Sequence, residues 1–366
     1  MNNLIVFGNA EKEYWRRELG ATVFPKTSGY LVQIQSYIEQ GIRPIVQVGS
    51  GKEELEELTI FPRNSIIASL YADETYSPES NQDLLNTDSI FLVIRSYSLP
   101  KYSLIKVMKS FVQGLLDLSS NLSFPNLLKF FNLFSAGLVM ALRQKKIRKL
   151  EKKLGKNSIT IPFGYTDLFC QSFISFLTDN FGIELKPEVS LLSSEVRKIL
   201  SKGEANRRFR FGFIGQRGNL ARNFAINSVR NKNSILVERD RYGGTLGGNE
   251  ATRATGIQYI EVLTKSTSFL CPPGNYSGHS FRILESLICG ALPIVSSNVI
   301  TDPLFQDPTG LNGNPHVIYS WKKRIREHEL LSSSQVKDLF QEARIKFIEQ
   351  IQLSQLQLKK FQIFSL

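Results

Sequence analysis

Over the first 165 residues, short apolar runs alternate with stretches whose apolar positions recur every three or four residues. The runs at 4–7, 44–48, 65–70, 90–94 and 159–161 read as strands, and 30–40 and 52–58 read as helices between them. This alternation predicts βαβ units around a mostly parallel sheet. Residues 103–153 break the rhythm with a long helical stretch that has no strand pattern, apolar at 127–142 and basic after that. Residues 167–207 are mainly helical and connect the two halves.

A second alternating block follows. Strands are expected at 209–214, 234–238, 268–271 and 292–296, with helices at 219–230, 256–265 and 279–289. Leu220, Phe224 and Val229 form the inward stripe of the first of these helices. The chain ends in an amphipathic helix over about 334–360, with Leu339, Ile345, Ile348, Leu353 and Leu356 at packing spacing. The expected class is α/β, with a domain at 1–165 carrying a helical, basic insertion at 103–153. A helical connection at 166–207, a second domain at 208–325 and a helical extension at 326–366 follow. At 366 residues each half is long enough to bury its own core.

Composition narrows the chemistry. Three dispersed cysteines (Cys170, Cys271, Cys289) and three histidines (His279, His316, His328) argue against a disulfide framework and a zinc cluster. No signal peptide precedes the strand at 4–7, and no apolar run reaches bilayer-spanning length, so a cytoplasmic protein is expected. The net charge is +12, and half of that excess lies in Arg143-Gln-Lys-Lys-Ile-Arg-Lys-Leu-Glu-Lys-Lys153. Charge of this size points to phosphates, nucleic acid or an anionic membrane.

The most informative segment is Cys271-Pro-Pro-Gly-Asn-Tyr-Ser-Gly-His-Ser-Phe-Arg-Ile-Leu-Glu285. A buried strand ends at Cys271, a loop turns at Pro273-Gly274, and a helix begins near Ser280. Ligands of open α/β sheets bind at the carboxyl ends of strands, where a helix N-terminus offers free N–H groups to a diphosphate. Phe281, Leu284, Leu287 and Ile288 form the inward stripe of that helix, and Arg282 and Glu285 share the opposite face. The pair reads either as a phosphate and ribose contact or as a solvated i,i+3 ion pair contributing about 0.2–0.5 kcal/mol.

These residues carry a resemblance. Tyr259, Ser266, Phe269-Leu-Cys-Pro-Pro-Gly274, Ser280-Phe-Arg282, Glu285-Ser286 and Gly290-Ala-Leu-Pro-Ile-Val295 resemble the donor-domain signature of exostosin-like glycosyltransferases. Phe211-Gly-Phe-Ile-Gly215-Gln-Arg217, followed by Arg222, resembles the strand-loop-helix that opens that domain. Two shorter islands, Phe91-Leu-Val-Ile-Arg95-Ser-Tyr97 and Ile161-Pro-Phe-Gly-Tyr165, are similar to the acceptor-side strands. The match covers about 90 residues of the C-terminal half.

The resemblance implies two Rossmann-like domains facing across a cleft (GT-B architecture) and a nucleotide-diphosphate sugar as donor. It implies donor contacts from Gly215, Arg217, Arg222, Tyr259, Pro273, Gly274, Ser280, Arg282 and Glu285, with Arg282 also serving catalysis. The acceptor would be a glycan or lipid-linked glycan, as in polysaccharide synthesis. Members of the family from eukaryotes usually carry an N-terminal membrane anchor that this chain lacks, so the implied enzyme is of bacterial type. The paired glutamates of many retaining GT-B enzymes are missing from the matched region, which favours inversion. Asp73 and Glu74, beyond the strand at 65–70, are the leading candidate bases for the acceptor hydroxyl, although the segment Ala72-Asp-Glu-Thr75 reads first as a polar loop.

Other features compete. Arg241-Tyr-Gly-Gly-Thr-Leu-Gly-Gly-Asn249 lacks the Lys-Ser/Thr of a P-loop and reads as a loop at the cleft rim. Glu238-Arg-Asp240 is an isolated acidic pair, so neither a metal nor a cofactor is expected. Residues 127–153 read as an interfacial helix on an anionic membrane, which would place the protein on the inner face of the plasma membrane, or as a buried helix leading into a solvated one. No recognition helix or basic-aromatic groove marks nucleic-acid binding, so no nucleic-acid partner is expected. That function and a catalytically inactive sugar-nucleotide-binding scaffold are the alternatives.

Overall fold

The computed structural model describes residues 5–7, 12–19, 22–24, 30–41, 43–48, 61–63, 65–70, 88–95, 158–162, 164–202, 207–216, 220–239, 256–272, 280–295 and 321–360. It also describes Ile105, Met108, Val112, Phe131, Leu138, Leu142, Lys149 and Lys152. The helix expected at 52–58 lies outside these residues.

The first half forms a parallel sheet from β1 (Ile5–Phe7), β2 (Thr22–Phe24), β3 (Pro44–Val48), β4 (Ile66–Leu70), β5 (Ile90–Arg95) and β6 (Ser158–Thr160), in the order β2-β1-β3-β4-β5-β6. Five of these strands fall where apolar runs predict them. The edge strand β2 is an addition, as is helix α1 (Lys12–Arg17); α2 (Tyr30–Glu39) matches expectation. Helices α3 (Asp167–Phe181) and α4 (Ser194–Ser201) make the connection. Thr166 caps α3, its hydroxyl accepting from the Phe169 amide at 3.2 Å, and Ser193 caps α4 in the same way.

The second sheet contains β7 (Phe209–Gln216), β8 (Ser234–Arg239), β9 (Ser266–Leu270) and β10 (Leu292–Ile294), all parallel, in the order β10-β9-β7-β8. Its helices are α5 (Leu220–Val229), α6 (Gly256–Lys265) and α7 (Phe281–Ile288), followed by α8 (Trp321–Leu330) and α9 (Ser333–Lys360). Strand alternation sends Phe211 and Phe213 of β7 to one face, where they pack with Phe224, Ile226 and Val229 of α5 and Trp321 and Ile325 of α8. Ile214 faces the other side, and α6 covers that side by packing on both β7 and α3. A sheet buried on both faces explains why its strands read as continuous apolar runs.

Besides the cluster around Phe211, Phe213 and Trp321, the described residues contain a larger one that spans both halves. It runs from Trp15, Leu92 and Ile94 through Phe169 and Phe173 to Phe269, Leu287 and Phe347. Rings in edge or tilted contact continue it: Tyr14 with Tyr165 (5.7 Å), Tyr165 with Phe169 (5.9 Å), Phe169 with Tyr259 (6.2 Å) and Tyr259 with Phe269 (6.2 Å). Buried Glu18 lies beside this chain and accepts from the Leu191 amide (2.9 Å), the Ser190 hydroxyl (2.5 Å) and the Tyr165 hydroxyl (3.3 Å).

The last helix ties the halves together. α9 packs against both β6 and β10, and Gln355 donates its amide to the Glu18 carbonyl at 2.5 Å. Its inward stripe is Val336, Phe340, Ala343, Phe347, Ile351 and Leu358. This corrects the expected packing set: Leu339 and Ile348 are partly buried, whereas Ile345, Leu353 and Leu356 are exposed. A helix of that length presents apolar residues around more than one face, and the stripe carrying both phenylalanines is the one that packs.

Candidate functional site

In the second sheet, β8 lies to one side of β7 and β9 and β10 to the other. The chain therefore reverses its direction of travel across the sheet at β7. The crevice beyond the carboxyl ends of β7 and β9 is where open α/β sheets bind ligands. Among the described residues two elements reach it: β7 ends with Gly215-Gln216, and α7 follows β9 in the chain.

Arg282, in the first turn of α7, lies at this edge. It is only 7% exposed, and its guanidinium carbon stands 5.8 Å from the centre of the Phe213 ring. Gly215 has φ 149, and a Cβ placed there would stand 2.8 Å from Nη2 of Arg282. The missing side chain makes room for the guanidinium. Arg282 Nε is buried without a hydrogen-bond partner among the described residues, a cost that a native protein rarely leaves uncompensated.

Ser280 is the N-cap of α7, with extended backbone (φ −144, ψ 152), yet its hydroxyl makes no capping bond. That Oγ is also buried and unpartnered among the described residues. The helix start therefore joins uncapped N–H groups to an unspent hydroxyl and an arginine. Hydrogen-bond donors and positive charge converge there, the combination that holds phosphate oxygens.

Behind Arg282 lies Glu285, which is 3% exposed. The Tyr259 hydroxyl of α6 donates to its Oε2 at 2.5 Å, and the backbone N–H of Thr166 donates to the same carboxylate. Burial raises the Glu285 carboxyl to about 7, against the opposing pull of Tyr259, Arg282 and Thr166. Burial, followed by the Glu285 charge, raises the Tyr259 phenol well above its ordinary range. Of the two readings of Arg282 and Glu285, the solvated ion pair therefore does not hold. α7 is packed nearly all round, with Leu284, Ser286, Leu287 and Ile288 also buried, so its polar residues are enclosed.

Of the residues expected at the site, Gly215, Ser280 and Arg282 meet at the sheet edge, with Glu285 and Tyr259 on the inner side of Arg282. Arg222 is half-buried in the first turn of α5, the helix that follows β7. Arg217, Pro273, Gly274, Asp73, Glu74 and the loop 241–249 lie outside the described residues. Glu238 forms an ion pair with Arg230 at 2.5 Å, and Asp240 also lies outside. No group of three His, Cys, Asp or Glu side chains among the described residues could hold a metal ion. Two participants escape sequence reasoning, Thr166 and Phe213. Thr166 advertises itself only as a helix cap before Asp167-Leu-Phe, and the contact of Phe213 with Arg282 depends on tertiary packing.

No protein-family model matches the chain, and no curated protein matches it. Among solved structures, the N-terminal domain of Candida albicans trehalose-6-phosphate phosphatase overlays with a TM-score of 0.41 at 13% identity, covering 100% of this chain and 97% of that one. UDP-GlcNAc 2-epimerase from Neisseria meningitidis, bound to UDP-GlcNAc, overlays with a TM-score of 0.37 at 11% identity, covering 98% of this chain and 100% of that one. Overlays of this size assign neither fold nor activity to the chain.

Proposed function

We propose that the chain is a glycosyltransferase of the exostosin-like type, holding a nucleotide-diphosphate sugar at the β7–α7 edge and passing the sugar to a glycan or lipid-linked glycan. The observation that carries this reading is Arg282, buried at a helix N-terminus against Gly215 with Nε unpartnered among the described residues. A cation held in a water-poor recess stabilises the charge that develops on a leaving diphosphate. The N–H groups and Ser280 hydroxyl at the start of α7 supply donors for its oxygens, and Arg222 adds charge from α5. The reading also assigns donor contacts to Pro273, Gly274 and Arg217, which follow β9 and β7 in the sequence. Glu285 and Tyr259 hold α7 from its inner side and so fix the direction of Arg282.

Transfer is a single displacement with inversion and without a metal. Asp73 or Glu74 takes the proton from the acceptor hydroxyl as it attacks the anomeric carbon, and the nucleoside diphosphate leaves. The test is nucleotide release: UDP-, GDP- and ADP-sugars are each incubated with the protein and a panel of glycan acceptors. Acceptor-dependent release of nucleoside diphosphate supports the enzyme. Donor binding with no release under any acceptor selects the inactive scaffold. Salt-sensitive retention of DNA or RNA without donor binding selects the nucleic-acid reading.

A further inference from the structure

We propose that Glu285 is a proton-linked counter-charge to Arg282: its carboxylate takes up a proton from solvent as the donor's diphosphate settles on the guanidinium, and gives it back when the donor leaves. The inference deepens the donor reading above and rests on it. Arg282 and Glu285 stand one turn apart on α7, and both are buried. Arg282 Nε has no hydrogen-bond partner among the described residues, whereas the Glu285 carboxylate accepts from the Tyr259 hydroxyl at 2.5 Å and from the Thr166 amide. In the empty site the ionised carboxylate balances the guanidinium, and the guanidinium in turn favours the ionised form.

A diphosphate at the start of α7 changes this balance. It brings negative charge to a guanidinium that Glu285 already balances, in a recess with little water to screen the surplus. Protonation of Glu285 removes that surplus and leaves the Arg282 charge to the phosphate oxygens. Tyr259 fits both states, because its hydroxyl donates to a carboxylate and accepts from a carboxylic acid. Burial already brings the Glu285 carboxyl to about 7, so the proton exchanges near neutral pH.

The described groups around Glu285 do not take over this role. Burial, followed by the Glu285 charge, holds the Tyr259 phenol well above its ordinary range. Burial does the same to the Cys289 thiol, against the pull of Arg207. Cys271, which faces Tyr259, is buried with its Sγ 3.6 Å from the Ser286 hydroxyl. Thr166 presents its backbone N–H. Of the other elements packed on α7, β10 is Leu292-Pro-Ile294 and brings no charge, and Arg344 of α9 donates to the Leu192 and Ser193 carbonyls.

The test is isothermal titration calorimetry of UDP-, GDP- and ADP-linked sugars into the full chain and into Glu285→Gln. Two buffers of different ionisation enthalpy at pH 7.5 give the protons taken up, and titrations from pH 5.5 to pH 8.5 give the affinity profile. The diphosphate of these sugars stays ionised throughout, so the protons go to the protein. If the donor tightens proton binding at Glu285 about tenfold, the wild type takes up about half a proton more per donor than the variant. Its affinity is highest below pH 7 and falls about eightfold as pH rises through the range, a fall that Glu285→Gln lacks. A histidine ordinarily titrates in the same range, but His279, outside the described residues, is common to both proteins and cancels in the difference. Tyr259→Phe removes a donor that favours the ionised carboxylate, so the fall should move to higher pH, which a purely structural Glu285 would not give. Donor binding with equal proton uptake in wild type and Glu285→Gln, or a fall that Tyr259→Phe leaves in place, would overturn the inference and leave the donor site standing. Absence of binding with every sugar would overturn the donor reading and this inference with it.

Discussion

Gly215 and Arg282 share one space: the guanidinium lies where a side chain at position 215 would stand, 2.8 Å from the would-be Cβ. Strand β7 therefore needs glycine at its carboxyl end for a reason that lies in another element, 67 positions further along the chain. Gly215→Ala should displace Arg282 and strain a backbone at φ 149, destabilising the fold by about 1–3 kcal/mol. Donor affinity should fall with it, by about tenfold or more beyond what the loss of folded protein explains. Chemical denaturation and donor titration on the same preparation separate the two effects.

Arg282→Lys and Arg282→Ala test shape against charge. A lysine keeps the charge but loses the planar fork, so it should recover only part of the donor affinity. Alanine should lose about a hundredfold, near 2.7 kcal/mol. Equal affinity in all three proteins would move the donor elsewhere.

The Glu285 carboxyl gives a pH signature. Its folded-state value, raised from 4.5 to about 7, means that the native state holds the proton more tightly than the unfolded chain does. The stability this contributes is fully present below about pH 4.5 and is lost as pH rises through 7, on the order of 3 kcal/mol in all. Glu285→Gln removes the titration and keeps an acceptor for the Tyr259 hydroxyl and the Thr166 amide. The difference in unfolding free energy between the two proteins should therefore shift in favour of the variant from pH 5 to pH 8. Parallel profiles would contradict a buried, titrating Glu285. Glu18 is raised in the same direction, also by burial, and being common to both proteins it cancels in the difference.

Tyr165→Phe should separate scaffold from site. It removes one of the three donors described for the Glu18 carboxylate and leaves the Ser190 and Leu191 bonds in place. A loss of about 1 kcal/mol in stability is expected, with donor affinity unchanged at saturating folded protein. Calorimetric melting with donor titration checks both.

The strands of the second sheet are legible because burial on two faces writes them as apolar runs. β3 falls at its expected bounds on the run Pro44-Ile-Val-Gln-Val48, and α6 on the helical spacing of Tyr259, Ile260, Val262 and Leu263. β2 was missed because three residues at a sheet edge, Thr22-Val23-Phe24, carry too short a pattern, and α1 because six residues give fewer than two turns of periodicity. In α7 the amphipathic rule fails instructively. Polar residues on a helix face normally mean solvent, yet Arg282 and Glu285 are enclosed because α6 and the start of α3 close over them. The sequence pattern tells which residues are polar. It carries no information on a neighbour that arrives from 119 residues away, as Thr166 does for Glu285.

The most direct test of the central claim is a thermal-shift titration of the wild-type chain and Arg282→Ala against UDP-, GDP- and ADP-linked sugars, with CMP-linked sugars as the monophosphate comparison. A bound donor stabilises the native state in proportion to its concentration over Kd, and at about a hundred times Kd that amounts to about 2.7 kcal/mol. The account predicts a clear upward shift with at least one diphosphate sugar and its loss in Arg282→Ala. A shift of the same size in both proteins, or no shift with any of these sugars, would contradict it.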